Sequence, residues 1–504
     1  MKVLVILGHP RPDSFAEAMA EAYMDGARAA GVEVTYLKLY DLEFDIHVTT
    51  QKLRKQFSEP DLDYARQCVS EADHLVFVYP TWWATMPALL KGFLDRLLLP
   101  GFAFEEKDRN TDWIPLLKGK TAQLITTMDT PILVYRFLYH APGTNAMRKG
   151  TLGYCGIKPV RFLGFSPISY TTEDKRRKWL RRVRREGEKL ESGVLTSWEK
   201  LWFKMMPWLK AIRFQFYPMT WVSYAVGGFS AAYLGHAFDA WIFWLGYAFL
   251  FLLEVAVVFN NDYHDYPSDE VNKNYSPFTG GSRVLVDGDL TRGQLKKGSI
   301  AALFLAGFLG LLVVYMANLG IVPVAVIALL SILALGYTAP PLKLSYRTLG
   351  EIDVGLTHSI GVMLCGFLFQ GGDVFDPFPW MISVPLFLSI VVAIILAGIP
   401  DYAADKTIDK KTVAVRFGKK VAMCISMAIT ATTILVTLWW WQLPDIGSLY
   451  ATAVWFILPH GMLLLYKTVW YAFGLKIPER IDGLLVLSLL FIFWFGLFPL
   501  LAIT

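Results

Sequence analysis

Asn261 and Asp262 open an N-D-x-x-D-x-x-x-D motif that runs through Asp265 and Asp269 at the end of an apolar stretch. Asp401, Asp405 and Asp409 repeat a four-residue carboxylate spacing about 140 residues later. Residues three or four apart share one helical face, so each cluster aims its acids at one point. Two such helix ends facing each other would hold Mg2+ between their carboxylates and a substrate's phosphates, and so stabilise a departing diphosphate. An isoprenyl diphosphate suits that chemistry. Acids just beyond a membrane span are usually solvated loop residues, but two matched clusters on one predicted side argue for a shared site.

The elements that must position these acids are membrane helices. The chain has 504 residues, 54% of them hydrophobic, with 15% aromatic and 18% charged residues, and a mean hydropathy of +0.40. Most of that apolarity follows Pro207. Stretches of spanning length lie near 217–236, 240–260, 297–317, 321–338, 353–371, 379–399, 420–441, 447–466 and 483–503, about nine helices by the criterion of roughly 20 residues each. Alternate gaps hold Arg283, Arg292, Lys296, Lys297, Lys343, Arg347, Lys406, Lys410, Lys411, Arg416, Lys419, Lys420, Lys476 and Arg480, while the other gaps lack Lys and Arg. The positive-inside rule then predicts a cytoplasmic N-terminus, with both aspartate clusters on the cytoplasmic side of a multi-pass protein of a bacterial or archaeal plasma membrane.

Residues 1–170 alternate short apolar runs with amphipathic stretches, the pattern of a soluble α/β domain. Val3 to Leu7 reads as a first strand rather than a signal peptide, because His9-Pro10-Arg11-Pro12 interrupts it. Further strands are expected at His74–Tyr79 and Thr121–Ile125, each followed by a polar loop. Loops at strand carboxyl ends are where a doubly wound sheet binds ligands, and the helix start after Ser14 suits a phosphate. Residues 171–213 form the expected joint, a basic amphipathic linker on the membrane surface. It carries eight Lys or Arg between Lys175 and Arg185, followed by Trp198, Leu201, Trp202, Phe203, Met205, Met206 and Trp208. Anionic lipid, not nucleic acid, is the expected partner of that run. Cys68, Cys155, Cys365 and Cys424 are too scattered for a disulfide scaffold or zinc site.

Between the aspartate clusters lie Ser276-Pro277-Phe278-Thr279-Gly280-Gly281-Ser282-Arg283 and Tyr337-Thr338-Ala339-Pro340-Pro341, the latter running on to Arg347. With both clusters, these segments resemble the UbiA superfamily of intramembrane aromatic prenyltransferases across residues 214–504, most closely its dihydroxynaphthoate branch, although Asp269 stands where many members of that branch have glycine. The resemblance implies an all-α polytopic bundle in which Asn261, Asp262, Asp265, Asp269, Asp401, Asp405 and Asp409 hold Mg2+. Arg283, Lys343, Arg347 and Lys410 would neutralise the diphosphate. Asp262, Asp265, Asp401 and Asp405 would serve ionisation, and Tyr337, with Tyr346, would stabilise the allylic cation.

In the first half, G-H-P-x-x-x-S-F from Gly8 and the block Pro80 to Phe104 resemble the flavodoxin-like NAD(P)H:quinone oxidoreductases. That family implies a doubly wound parallel sheet, FAD or FMN, NAD(P)H and a homodimer through this domain. His9, Ser14 and Phe15 fall on the flavin phosphate side. Pro80, Thr81, Trp82, Trp83 and Ala84, with Thr126, Thr127, Met128 and Asp129, would face the ribityl chain and ring, Met128 and Asp129 replacing the family's glycines. His140 matches the family's charge-stabilising histidine, with Tyr135 as a neighbouring phenol. Together the halves imply a bifunctional enzyme of the menaquinone or vitamin K type: quinone is reduced to hydroquinone, then prenylated. The alternative is a prenyltransferase carrying a non-catalytic redox-sensing or docking domain.

Overall fold

The computed structural model describes residues 1–47, 59–106, 113–276, 278–474 and 477–504. Pro277 of the glycine-rich segment and Lys476 of the charge pattern lie outside the described residues. The chain divides into two compact units, Met1–Lys200 and Leu201–Thr504.

The first unit is built on five parallel strands in the order β2-β1-β3-β6-β7, with β1 at Lys2–Leu7, β2 at Glu33–Lys38, β3 at His74–Pro80, β6 at Thr121–Thr127 and β7 at Val160–Phe165. A two-stranded hairpin, β4 (Phe104–Glu106) with β5 (Trp113–Pro115), stands apart from it. Every residue of β3 and β6 is buried. Such continuous apolar strands need cover on both faces, which parallel sheets receive from helices. On one face Val3, Val5 and Leu7 pack with α1 (Phe15–Ala29); on the other Leu4 and Ile6 pack with α2 (Pro60–Glu71) and α3 (Ala88–Leu97). β3 and β6 run on through Pro80 and Thr127, two residues past where the third strand was expected to end, so Pro80, Thr126 and Thr127 close strands instead of opening loops.

The basic run forms the Glu173–Glu188 helix, seated on α1 through glycines. A Cβ on Gly26 would lie 2.0 Å from the Arg184 carbonyl oxygen, and one on Gly187 would lie 2.3 Å from that of Tyr23. The expected 171–213 joint is thus divided. Its first helix, with buried Val183, completes the α/β unit, and the unit boundary falls within the next, Ser197–Ile212.

The second unit is helical. Among the described residues, six helices are long and apolar enough to cross a membrane: Ala240–Val271, Arg292–Met316, Gly350–Phe369, Pro377–Thr407, Lys419–Trp441 and Asp482–Ile503. They make the chain a multi-pass membrane protein. The other three expected spans also fall on helices, Tyr217–Tyr233, Ile321–Gly336 and Val454–Phe473. The first two have only 17 and 16 residues. The third starts seven residues later than expected and carries His460 and Lys467. Small residues set the closest approach in this bundle: a Cβ on Gly227 would meet the Met363 carbonyl oxygen at 1.9 Å, and one on Gly366 that of Tyr224 at 2.2 Å.

Replacing Gly187 with alanine forces its helix away from α1. We expect the first unit to lose about 1–3 kcal/mol of stability, read as a lower midpoint in proteolysis-monitored thermal unfolding of the full chain. An unchanged midpoint contradicts the glycine contact.

Candidate functional site

Both aspartate clusters line one cavity of about 220 Å³ in the second unit. Ala240–Val271 supplies Asn261, Asp262, Asp265 and Asp269, and Pro377–Thr407 supplies Asp401 and Asp405. The two helices are clipped together across it. Asn272 Nδ2 donates to Asp401 Oδ1 at 2.7 Å, Ser268 Oγ donates to Asp405 Oδ1 at 3.0 Å, and the buried Lys410 Nζ lies 3.0 Å from Asp265 Oδ2 and 3.8 Å from Asp405 Oδ1. Burial opposes the lysine's charge, but Asp265 and Asp405 outweigh it and hold the pKa well above the ordinary lysine value.

The glycine-rich segment closes the cavity from the side. Ser282 donates from both its backbone N–H and its hydroxyl to Asp262. Gly280 and Gly281 have φ of +78° and +67°, and a Cβ on Gly281 would lie 2.2 Å from Asp269 Oδ2. Only glycine combines that conformation with that approach.

Tyr337 lines the cavity, as expected. Asp409 does not. The helix ends at Thr407, and Asp409 sits in the following turn at φ 57°, its side chain 85% exposed and 3.6 Å from Lys411 Nζ. The proposed diphosphate cations divide as well. Arg283 Nη1 donates to the Asp269 carbonyl at 2.9 Å with its guanidinium 4.0 Å from the Tyr275 ring centroid, and Arg347 Nη2 donates to the Pro341 carbonyl at 3.0 Å. Lys343 is exposed over the Tyr346 ring. Of the four, Lys410 alone touches the acids. Sequence reasoning missed Arg213, Glu351 and Thr412, which line the cavity, and the clamps Ser268, Asn272 and Ser282. Asn272 had a readable signal, continuing the motif three residues beyond Asp269.

Six carboxylates line this space (Asp262, Asp265, Asp269, Glu351, Asp401 and Asp405), with Arg213 as the lining cation and Lys410 beside it. Asp265 Oδ1 and Glu351 Oε2 are buried without a hydrogen-bond partner. Among the described residues, no three His, Cys, Asp or Glu side chains come together as a group that could hold a metal ion. An all-oxygen, surplus-negative donor set with open positions fits Mg2+, which takes one or two carboxylates and completes its shell with water and phosphate.

In the first unit, a cavity of about 730 Å³ opens at the carboxyl ends of β3 and β6. Thr81, Trp82, Trp83, Ala84, Met128 and Asp129 line it with Tyr135 and Tyr139. Trp83 and Ala84 are the central residues of a tight turn closed by Trp82 and Thr85, both at positive φ, 49° and 59°. That backbone holds Trp83 99% exposed at the mouth. Asp129, at a family glycine position, accepts from the Ser169 N–H and hydroxyl at 2.7 and 2.8 Å, bonds that lower its pKa. The Tyr135 hydroxyl is held by the Thr144 backbone N–H at 3.0 Å, so it acts as a brace of the wall. His140 lies exposed at φ 56° outside the lining.

The phosphate-side trio sits at the carboxyl end of β1, outside the described lining. Ser14 caps α1, its Oγ accepting from the Glu17 N–H at 3.2 Å and keeping its own proton for an acceptor. His9 is buried edge-on to Trp82 with ring centroids 5.7 Å apart, and burial lowers its pKa. Phe15 packs near Trp179. Aromatic walls with backbone donors fit a planar, apolar-faced ring such as a flavin.

A carboxylate-lined cavity in a helical membrane bundle, joined to a doubly wound sheet with an aromatic cleft, defines a two-domain membrane enzyme. Residues 220–480 match the UbiA prenyltransferase family and residues 1–186 match the flavodoxin-like fold. The chain belongs to the UbiA prenyltransferase family and carries, fused to that domain, a flavodoxin-like NAD(P)H quinone oxidoreductase domain. It is 33% identical over 183 residues to an uncharacterized NAD(P)H oxidoreductase of Haemophilus influenzae, covering 35% of this chain and 89% of that protein. It is 28% identical over 211 residues to the human ribosyldihydronicotinamide dehydrogenase [quinone], covering 35% of this chain and 86% of that protein. A solved NAD(P)H:quinone oxidoreductase from Methanothermobacter marburgensis is 26% identical, with 38% of this chain and 97% of that one covered and a TM-score of 0.33.

Gly281→Ala should both strain the backbone and strike Asp269. We expect a loss of about 1–3 kcal/mol and a lower thermal midpoint of the detergent-solubilised chain, whereas Gly293→Ala, at an open helical position, leaves the midpoint within error.

Proposed function

We propose that the chain reduces a quinone, a naphthoquinone by preference, to its hydroquinone with NAD(P)H through FAD or FMN. It then transfers an isoprenyl group from an isoprenyl diphosphate to that ring with Mg2+, in prenylquinone synthesis of the menaquinone or vitamin K type. The observation that carries this reading is one polypeptide joining a quinone-reductase domain to a membrane domain whose carboxylates surround an open cavity. On this reading residues 1–170, completed by the Glu173–Glu188 helix, are the reductase and 214–504 the transferase, and the three shorter or more polar helices complete nine spans around a cytoplasmic mouth. Residues 171–213 then hold the reductase near an anionic bilayer surface. The reductase domain is also where a homodimer would form.

The two reactions belong together chemically. An oxidised quinone is too electron-poor to attack an allylic cation, whereas a hydroquinone is electron-rich. A flavin in the first cleft would supply the hydride transfer between nicotinamide and quinone. Trp82, Trp83 and the Thr81 to Ala84 backbone would hold its ring, Met128 and Asp129 the adjoining edge, and the Ser14 hydroxyl a phosphate oxygen.

In the membrane domain Mg2+ would neutralise the diphosphate as it leaves. Asp262, Asp265, Asp401 and Asp405 would hold it, with Asp269 and Glu351 next in reach. Ser282, Ser268 and Asn272 fix the carboxylates before substrate arrives, so little reorganisation remains for the transition state. Lys410 and Arg213 offer positive charge to diphosphate oxygens. Tyr337 presents an aromatic ring beside the same space, where a carbocation would be favoured. The apolar bundle excludes the water that would otherwise capture that cation.

Purified chain with Mg2+, 1,4-naphthoquinone and geranyl diphosphate should give prenylated product, read by mass spectrometry, only when NAD(P)H is added. Asp262→Asn, Asp401→Asn or chelation of Mg2+ should lower transfer at least about 100-fold while leaving NAD(P)H-dependent quinone reduction intact. Product from supplied dihydroxynaphthoate, but none from quinone plus NAD(P)H, rejects the coupling and favours a non-catalytic first domain.

A second prediction separates the cations. Lys410→Met leaves Asp265 and Asp405 uncompensated and should depress transfer strongly, whereas Arg347→Met, whose guanidinium is exposed and serves a backbone carbonyl, should change it less than about threefold. Equal losses would place Arg347 in the site after all.

A further inference from the structure

A second, smaller chamber of about 40 Å³ lies in the same bundle, lined by Glu254, His358, Thr220 and Thr357 among apolar residues such as Leu250 and Leu330. It stands in register with the carboxylate cavity. Glu254 precedes Asn261 by seven residues, His358 follows Glu351 by seven, and Leu330 precedes Tyr337 by seven. Seven residues are two helical turns, about 10 Å along a wall. Three segments that wall the first cavity therefore also wall the second, which lies toward the middle of the Ala240–Val271 span.

Among the described residues, Glu254 has only the Thr220 hydroxyl, an uncharged donor, set against its carboxyl there. Its Oε2 is sealed from solvent without a hydrogen-bond partner, and among the described residues it forms no ion pair. A carboxylate inside a membrane helix costs several kcal/mol unless something satisfies it. His358 Nδ1 lies 3.2 Å from the Val354 carbonyl and 3.1 Å from the Thr357 hydroxyl, and in the tautomer that donates to the carbonyl Nε2 is an acceptor. No lysine or arginine lines the chamber. It thus offers Glu254 and His358 as acceptors beside the Thr220 and Thr357 hydroxyls in otherwise apolar walls, with room for a few water-sized groups. An isoprenoid chain would bury both polar groups unpaired, and a ring carboxylate would meet Glu254 without a counter-ion. A phenolic hydroxyl meets both demands.

We propose that this chamber receives the hydroxyl-bearing edge of the aromatic acceptor, with Glu254 as its hydrogen-bond acceptor, and that it selects hydroquinones over ring carboxylates. The inference rests on the prenyl-transfer reading and adds to it the chamber and the side chain that would meet the acceptor's hydroxyl. It also gives that reading a chemical reason for an attached quinone reductase, because the preferred acceptor is the product of quinone reduction.

The test uses the full chain in nanodiscs with Mg2+ and geranyl diphosphate, offering 1,4-naphthohydroquinone kept reduced or 1,4-dihydroxy-2-naphthoate. Wild type should favour the hydroquinone by about tenfold or more in kcat/KM. Glu254→Leu should raise the hydroquinone KM at least about tenfold with the diphosphate KM within about twofold. Glu254→Gln, near-isosteric and uncharged, should narrow the discrimination by improving use of the carboxylate. A wild type that transfers well, with either variant leaving the acceptor KM and the preference unchanged or moving both substrates' KM equally, overturns the chamber's role alone. A wild type that transfers to neither acceptor overturns the transfer reading, and this inference with it.

Discussion

The membrane domain depends on holding six carboxylates around one small space without letting them drive their helices apart. At such separations like charges repel strongly, and the low dielectric of a bundle magnifies the effect. The fold answers with fixed hydrogen-bond donors placed between the two aspartate-bearing helices. Lys410 sits between Asp265 and Asp405, Asn272 reaches Asp401, Ser268 reaches Asp405, and Ser282 covers Asp262. These contacts offset part of the repulsion and leave Asp265 Oδ1 and Glu351 Oε2 unsatisfied. What remains is a socket whose deficit a divalent cation and its phosphates would fill. Preorganisation and incompleteness have the same origin here.

That constraint explains where glycine is unavoidable. The segment after the first cluster must pass within contact distance of Asp269 and then turn back to deliver Ser282, and two successive left-handed residues accomplish it. The same logic operates in the first domain with other residues. Trp83 and Ala84 take left-handed conformations without being glycine, and the strain is held by the Trp82 to Thr85 hydrogen bonds. Strain of that kind is retained where a surrounding framework over-determines the loop, and here it fixes an indole at the mouth of the cleft.

How much of this was legible in the sequence follows from how local each signal is. The paired clusters could be read because helical periodicity is a property of neighbouring residues, and so could the β1, β3 and β6 runs, whose continuous burial imposes continuous apolarity. Asp409 shows where such reading stops. Its spacing from Asp405 is four, but the helix has already ended at Thr407, and outside a helix the rule carries no information about direction. Arg213, Glu351 and Thr412 reach the cavity from separate elements, a convergence that only tertiary structure reveals. His140 matched by distance along the chain, yet its left-handed turn leaves it exposed. The basic run was read by its charges, while the buried Val183 and Gly187, four residues apart, carried the information that it packs on α1.

On the proposed function the two domains pose opposite demands on a common substrate, and this decides what kind of molecule would serve both. A quinone reductase acts on the oxidised ring, which accepts hydride because it is electron-poor. Aromatic prenylation acts on the reduced ring, whose hydroxyls donate electron density to the carbon that attacks. Only the hydroquinone form carries two donor hydroxyls, and donors are what the role proposed for the chamber lined by Glu254 and His358 calls for. On that reading a tethered reductase would raise the local supply of the reduced form and shorten its exposure to oxygen. On the proposed role of the chamber, hydrogen bonding to Glu254 would then favour the reduced ring, whose hydroxyls donate where a quinone has only carbonyl acceptors.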